Sequence, residues 1–198
     1  MLEFWHDFAS TYSYPAAMRI DALAQACGVA VAWRPFLLGP LFAAQGWPDS
    51  PFNIYPAKGR YMWRDMERVC ARLALPFVRP AVFPQRSVLA ARIALALPPD
   101  RRPQYARALY SAEFAQGLAV DDPATSATIL TAMALSPESL FAAAESPQNK
   151  EALRVQTEAA ERLGLPGAPC FVTGDGEIFW GNDRLDEALE WEAAHAPA

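Results

Sequence analysis

The chain is poor in the residues that metal and redox chemistry rely on. Its 198 residues include three cysteines, Cys27, Cys70 and Cys170, and two histidines, His6 and His195. No two cysteines stand at C-x-x-C spacing, which argues against a dithiol redox pair. The histidines are far apart and the usual Cys/His ligand spacings are missing, so no metal site is expected. An odd cysteine count favours a reducing compartment, and a cytoplasmic protein is expected. The opening Met1-Leu2-Glu3 has neither a basic segment nor a cleavable apolar one, so no signal peptide is expected. No uninterrupted apolar run approaches the ~20 residues of a membrane span. Cations are also short: 17 Lys and Arg against 22 Asp and Glu give a net charge of −5. Nucleic acid and anionic membranes both reward a basic face, so neither is expected as a partner.

Apolar content is high, with 53% hydrophobic residues. One large domain or two small ones can therefore bury a sizeable core. Residues 2–7 read as a buried strand. From Tyr14 to Cys27, Ile20, Leu23, Ala24 and Cys27 recur at helical spacing, and Gly28 sits where a helix end wants a left-handed residue. Val29 to Trp33 reads as a second strand, joined to the first by a parallel crossover. Proline and glycine then punctuate residues 35–56, where short helices are expected in an irregular segment. Helical patterns follow at about 56–74, 86–97, 103–116, 124–134, 137–145 and 148–163. The tail changes character: residues 170–173 and 177–180 flank the turn Gly174-Asp175-Gly176 as a β-hairpin. Gly181-Asn182-Asp183 then opens a last helix, and residues 194–198 are expected to fray. The pattern is β-α-β, a helical block, then β-β-α.

The candidate chemistry begins at Phe4-Trp5-His6-Asp7-Phe8-Ala9-Ser10-Thr11-Tyr12-Ser13-Tyr14, a strand feeding a turn and a helix. In thioredoxin-like proteins such a turn carries Cys-x-x-Cys; here the two positions are Ser10 and Ser13. Unpaired backbone amides and the helix dipole favour negative charge at this spot. A thiol of reference pKa ~8.5 needs about 2.7 kcal/mol to become mostly thiolate at neutral pH. A helix terminus supplies roughly 0.3–2 kcal/mol and a hydroxyl donor roughly 1.5–3 kcal/mol, enough together. A turn without its own sulfur suggests a borrowed thiol, and glutathione is the commonest one. The plainer alternative makes Ser10 a turn residue, and Ser13 reads as a helix N-cap.

Further along, Pro169 in Gly167-Ala168-Pro169 opens a strand, and a cis bond there would turn the Ala168 N–H and C=O toward Ser10. An ordinary loop proline is the other reading. Asn182 and Asp183 at a helix start suit a group carrying both carboxylate and ammonium, or simple capping. Lys58, Tyr61 and Asp65 share one helix face and, with Asn53, could hold an aromatic carboxylate or glutathione's terminal glycine; a solvated charged face is the alternative. His6 reads as a packed strand residue, and Asp7 as a brace for the turn. Phe36, Trp47 and Phe52 are candidates for an aromatic pocket.

Taken in order, Phe4 to Tyr14, Lys58-x-x-Tyr61-x-x-x-Asp65, the Ser87–Arg92 helix start, Gly167-x-Pro169 and Trp180-Gly181-Asn182-Asp183-Arg184-Leu185 resemble one family over essentially the whole chain. It is the 2-hydroxychromene-2-carboxylate isomerase family, kin to kappa-class glutathione transferases and to DsbA-like proteins. The resemblance implies an α/β fold, a thioredoxin-like mixed sheet with an inserted all-helical domain. Residues 1–38 and 165–198 would form the thioredoxin-like domain and 39–164 the helical insertion, whose last helix, about 148–164, could pack on the thioredoxin-like part. It implies that the catalytic residue Ser10 hydrogen-bonds the sulfur of glutathione. Ala168, with Pro169 behind it, would meet its cysteinyl backbone, and Asn182 and Asp183 its γ-glutamyl group. Asn53, Lys58 and Tyr61 would border an aromatic substrate. A homodimer serving the breakdown of naphthalene-type aromatics is implied as well. Thr11, Pro15 and Pro166 depart from the residues common in that family.

The expected activity is glutathione-dependent cis–trans isomerisation of 2-hydroxychromene-2-carboxylate, or a related aromatic hemiketal, to trans-o-hydroxybenzylidenepyruvate. A glutathione transferase that keeps its adduct and a non-catalytic thioredoxin-like binding module are the alternatives.

Overall fold

A computed structural model describes residues 1–195. Strand β1, Leu2–His6, is the centre of the fold. Its side chains alternate between two buried faces, as an apolar run without polar alternation demands. Helix α1, Ser13–Ala26, follows the turn and returns the chain to strand β2, Val31–Pro35, which pairs in parallel with β1. Strand β3, Cys170–Val172, pairs antiparallel with the other edge of β1, and strand β4, Ile178–Trp180, pairs antiparallel with β3. The four-stranded sheet therefore runs β2-β1-β3-β4.

Strand β2 starts two residues later than the apolar run suggested. The chain uses Gly28 and Val29 to end α1: Gly28, at φ +69°, donates to Gln25 O at 3.2 Å and Val29 to Ala24 O at 2.9 Å. That paired ending satisfies helix carbonyls and keeps Val29 off the sheet.

Between β2 and β3 lie helices α2, Leu38–Ala44, α3, Pro51–Ile54, and α4, Pro56–Arg72. They are followed by α5, Val88–Ala96, α6, Arg102–Phe114, and α7, Pro123–Ala132. Helices α8, Pro137–Glu145, and α9, Pro147–Arg162, complete the segment. Proline at the first turn starts many of them, where its missing N–H costs nothing. After β4 a single 3₁₀ turn, Asn182–Arg184, precedes the last helix α10, Leu185–His195. That helix includes Ala194 and His195, expected to fray; residues 196–198 of that expectation lie outside the described residues. No helix among the described residues is long and apolar enough to cross a membrane.

Each sheet face has its own apolar cluster. Leu2, Phe4, Trp33 and Phe171 join α1, α10 and the middle helices through Ile20, Leu189, Tyr105, Leu109 and Leu130. On the other face Trp5, Phe36, Cys170 and Val172 pack under Leu41 of α2 and Ala160 of α9. Gln156 of α9 donates to the Pro35 carbonyl at 2.6 Å, and Thr157 accepts from the Leu37 N–H at 3.3 Å.

The approach of α3 to α4 depends on Gly59. A Cβ there would meet the Phe52 carbonyl oxygen at 2.3 Å. Gly59→Ala is therefore expected to lower stability by about 1–3 kcal/mol through overpacking. Urea unfolding of the variant beside the wild type measures it.

Candidate active site

Asp7 fixes the turn that follows β1. It is buried, its Oδ1 accepts from the Ala9 N–H at 3.0 Å and its Oδ2 from the Leu38 N–H at 2.6 Å. One carboxylate thus ties the Ser10 turn to the start of α2. Burial pushes this carboxyl up, against the hydrogen bonds it accepts. The Ser10 N–H closes onto the Asp7 carbonyl at 2.9 Å, and the Ser13 and Tyr14 N–H groups onto the Ser10 and Thr11 carbonyls at 3.2 Å.

Those bonds correct two sequence expectations. The first helical amides are not free, because the turn winds directly into α1 and uses them. Ser13 is also the first helical residue rather than the cap, which is Tyr12 with no side-chain bond. The Ser10 hydroxyl stands nearest to a capping role, accepting from the Ser13 N–H at 3.3 Å.

The Ala168–Pro169 peptide bond is cis. The Ala168 carbonyl faces the turn, and Ser10 Oγ donates to it at 2.8 Å. The Gly181 N–H donates to the Pro169 carbonyl at 2.9 Å, so the proline loop and the 3₁₀ turn are locked together. Gly181 itself sits at φ +110°, a backbone conformation that strains any L side chain, and a Cβ there would have to push Asp183 Oδ1 aside. Asn182 is buried, its Oδ1 and its backbone carbonyl both accepting from Arg19 of α1 at 3.1 and 3.2 Å.

A cavity of about 1460 Å³ opens over this arrangement. Ser10, Thr11 and Tyr12 line it from the turn, Ala168 from the proline loop, and Trp180, Asn182 and Asp183 from the β4–α10 junction. The opposite wall is one stripe of α4: Lys58, Tyr61, Asp65, Arg68 and Arg72. Single-ligand pockets are commonly ≈ 300–1,000 Å³, so this one has room for a cofactor and a substrate side by side.

Of the predicted residues, Ser10, Ala168, Asn182, Asp183, Lys58 and Tyr61 come together on this lining. Pro169 is not on it and acts from behind by presenting Ala168. Asn53 is not on it either. It borders a shallower groove with Trp63 and Arg79, while its amide donates to Asp49 Oδ2, a residue of the cavity lining, at 2.9 Å. Its neighbour Phe52 lines both the cavity and this groove. Trp47 and Phe52 line the cavity as expected, but Phe36 is buried in the core against Trp5. Its place in the aromatic wall goes to Phe42, Phe83 and Trp180. Sequence reasoning passed over Tyr12, although it stands only two residues from Ser10. It also stopped the α4 stripe at Asp65, although the same spacing continues to Arg68 and Arg72.

No thiol of the chain serves this cavity. Cys170 adjoins the proline loop, but it is fully buried and its Sγ points to the Gly167 carbonyl at 3.1 Å. Burial pushes its thiol up to about 12, and that of buried Cys70 up to about 11. His6, a candidate only for packing, is sealed in the core. Its Nδ1 lies 3.0 Å from the Tyr110 hydroxyl, which itself donates to the Asp7 carbonyl, so Nδ1 carries the proton. Burial lowers its pKa to about 3, and it stays neutral. Among the described residues no cluster of His, Cys, Asp and Glu could hold a metal ion.

Comparison with known proteins agrees with this architecture. A 2-hydroxychromene-2-carboxylate isomerase of Sphingobium xenophagum is 29% identical over 186 residues, covering 93% of this chain and 94% of its own. Another of that name from Pseudomonas putida is 25% identical over 185 residues, covering 93% and 90%. A solved 2-hydroxychromene-2-carboxylate isomerase superposes with a TM-score of 0.83 at 26% identity, covering 98% of this chain and 93% of that one. The sequence profile of the DsbA-like thioredoxin domain matches residues 1–190, and the chain belongs to the DsbA-like thioredoxin-domain family.

Proposed function

We propose that this protein is a glutathione-dependent cis–trans isomerase of 2-hydroxychromene-2-carboxylate or a closely related aromatic hemiketal. The observation that carries the reading is the Ser10 hydroxyl on the wall of a roomy cavity, in a redox-type turn whose own thiols are absent or silenced by burial. The names of the relatives support isomerisation. The donor set on the lining supports the cofactor.

The residues fit glutathione. Lys58 and Asp183 line the cavity and form no ion pair with other described residues, so a cation and a carboxylate remain for a zwitterionic ligand. Lys58 Nζ rests 4.6 Å from the centroid of the Tyr55 ring, a weak contact that an anion can outbid. Asn182 and Asp183 would hold the γ-glutamyl end, the Ala168 backbone the cysteinyl peptide group, and Lys58 the terminal carboxylate. Bound there, glutathione would supply a nucleophilic thiolate whose reversible addition to a conjugated double bond lets that bond rotate.

The chain's own residues then have definite tasks. Ser10 exchanges its bond to the Ala168 carbonyl for one to the anion. A serine hydroxyl rotates freely to do so, and a charge-assisted bond is about twice as strong as the neutral one it replaces. The same rotation frees the Ala168 carbonyl to accept from a ligand amide. The aromatic wall of Phe42, Trp47, Phe52 and Phe83 takes the substrate ring and excludes water.

The test is direct. Purified protein is mixed with 2-hydroxychromene-2-carboxylate, with and without glutathione, and the enone absorbance followed. Rapid formation of the trans enone that requires glutathione and does not consume it is expected. Net loss of glutathione would mark a transferase instead, and no reaction in either mixture would remove the isomerase reading.

A further inference from the structure

One group on the lining has no part in holding a thiolate. Tyr12, two residues after Ser10, points its hydroxyl across the cavity to Asp65 Oδ2 at 3.0 Å. Asp65 is itself oriented by α4, since its Oδ1 accepts from Arg68 Nη2 at 3.0 Å. The Arg68 guanidinium in turn lies over the Tyr61 ring, 5.6 Å from its centroid. All four side chains line the same cavity. Burial and the adjacent Asp65 carboxylate raise the Tyr12 pKa, so it remains a phenol. Its proton is committed to Asp65, and its oxygen is left as an acceptor beside the thiol site.

We propose that Tyr12, held by Asp65, is the acid–base group that opens the hemiketal ring of the substrate. The inference rests on the isomerase reading above. Ring opening moves one proton: the hemiketal O–H loses it as that oxygen becomes a carbonyl, the bond from the hemiketal carbon to the ring oxygen breaks, and the released phenoxide gains it. Both oxygens sit on one carbon, so a single bifunctional phenol reaches both. Tyr12 Oη accepts the hemiketal proton as its own proton shifts toward Asp65. As the carbon–oxygen bond breaks, Tyr12 gives a proton to the leaving phenoxide and recovers one from Asp65. Nothing is oxidised or reduced, and Tyr12 and Asp65 end as they began. Arg68 keeps the Asp65 carboxyl group aimed at the phenol while the proton passes between them. His6, the one histidine near this turn, is sealed in the core behind Tyr110 and takes no part.

The test compares two substrates with glutathione present. One is 2-hydroxychromene-2-carboxylate, which must open before it rotates. The other is cis-benzylidenepyruvate, which lacks the ortho hydroxyl and has no ring to open. For Tyr12→Phe, the ratio of kcat on the chromene to kcat on the linear enone is expected to fall by about 10²-fold or more, the range of a lost general acid–base group. Asp65→Asn, which keeps the shape but weakens the acceptor, is expected to lower the same ratio less. An unchanged ratio in both variants overturns the proposal, whether or not the overall rates fall, because a merely structural role would slow both substrates alike. Wild-type protein that isomerises neither compound would remove the isomerase reading and the relay with it.

Discussion

Ser10→Ala is expected to cut kcat/KM at neutral pH by roughly 10- to 100-fold, the equivalent of the roughly 1.5–3 kcal/mol that a hydrogen bond to a charged group contributes. The sign of the pH effect follows. The hydroxyl favours the thiolate over the thiol, so its loss raises the pKa of the bound sulfur. Each unit of that rise is worth 1.36 kcal/mol. Activity should therefore be lost most at pH 6–7 and recover toward the wild-type level as pH climbs past the new pKa. The fold should survive, because the neutral bond from Ser10 Oγ to the Ala168 carbonyl is worth only about 0.5–1.5 kcal/mol. A thiol titration by ultraviolet absorbance, on protein with bound glutathione, reads the shift directly. Unchanged titration and unchanged rate in a folded variant would show that this hydroxyl is a turn residue only.

Glu113→Gln should stabilise the protein increasingly as pH rises. Glu113 of α6 is 1% exposed, and its Oε1 is buried without a hydrogen-bond partner. Burial, and then the nearby Asp7 and Asp121 carboxylates, push its pKa well above the ordinary value of 4.5. In the unfolded chain it ionises near 4.5; in the folded protein it holds its proton. The folded state thus binds more protons in that window, and stability falls as pH rises through it. The slope is about 1.4 kcal/mol per pH unit until the folded-state pKa is passed. The amide has no such slope. Melting curves of both proteins should coincide near pH 4 and diverge steadily above it, with the variant higher. His6 acts with the opposite sign. Its folded pKa of about 3 lies below the unfolded 6.5, so it costs stability only as pH falls from 6.5 toward 3. His6 is common to both proteins, so its effect cancels and the divergence between them belongs to Glu113. Parallel melting curves across pH 5–8 would show Glu113 ionised in the fold.

The sequence made the outer frame legible because strong local signals marked it. The buried run Leu2–His6, the Gly28 helix end and the Gly174-Asp175-Gly176 turn are fixed by residues close in sequence. Lys58, Tyr61 and Asp65 could be placed on one face because helical geometry alone decides it. What stayed hidden depends on packing across the fold. Phe36 and Phe42 look alike as sequence, and only the layering of α9 on β2 buries one and exposes the other to the cavity. Asn53 lies off the cavity lining, its amide bound to Asp49, a contact with no signature in the local pattern. That Ser10 hydrogen-bonds a carbonyl 158 residues away, or that Glu113 is buried beside Asp7, has no local signature at all.

The order of strands in the sheet also has a bearing on how the protein is made. β1 emerges first, yet one of its edges must wait for β3, synthesised some 165 residues later. Until then a ribosome-bound chain carries an apolar strand with an open hydrogen-bonding edge, the configuration most prone to pair with a neighbour. Closure over such a sequence separation is also slow. Synthesis is thus the vulnerable stage in the life of this molecule, and chaperone supply or a lower expression temperature should govern its soluble yield more than the stability of the finished fold.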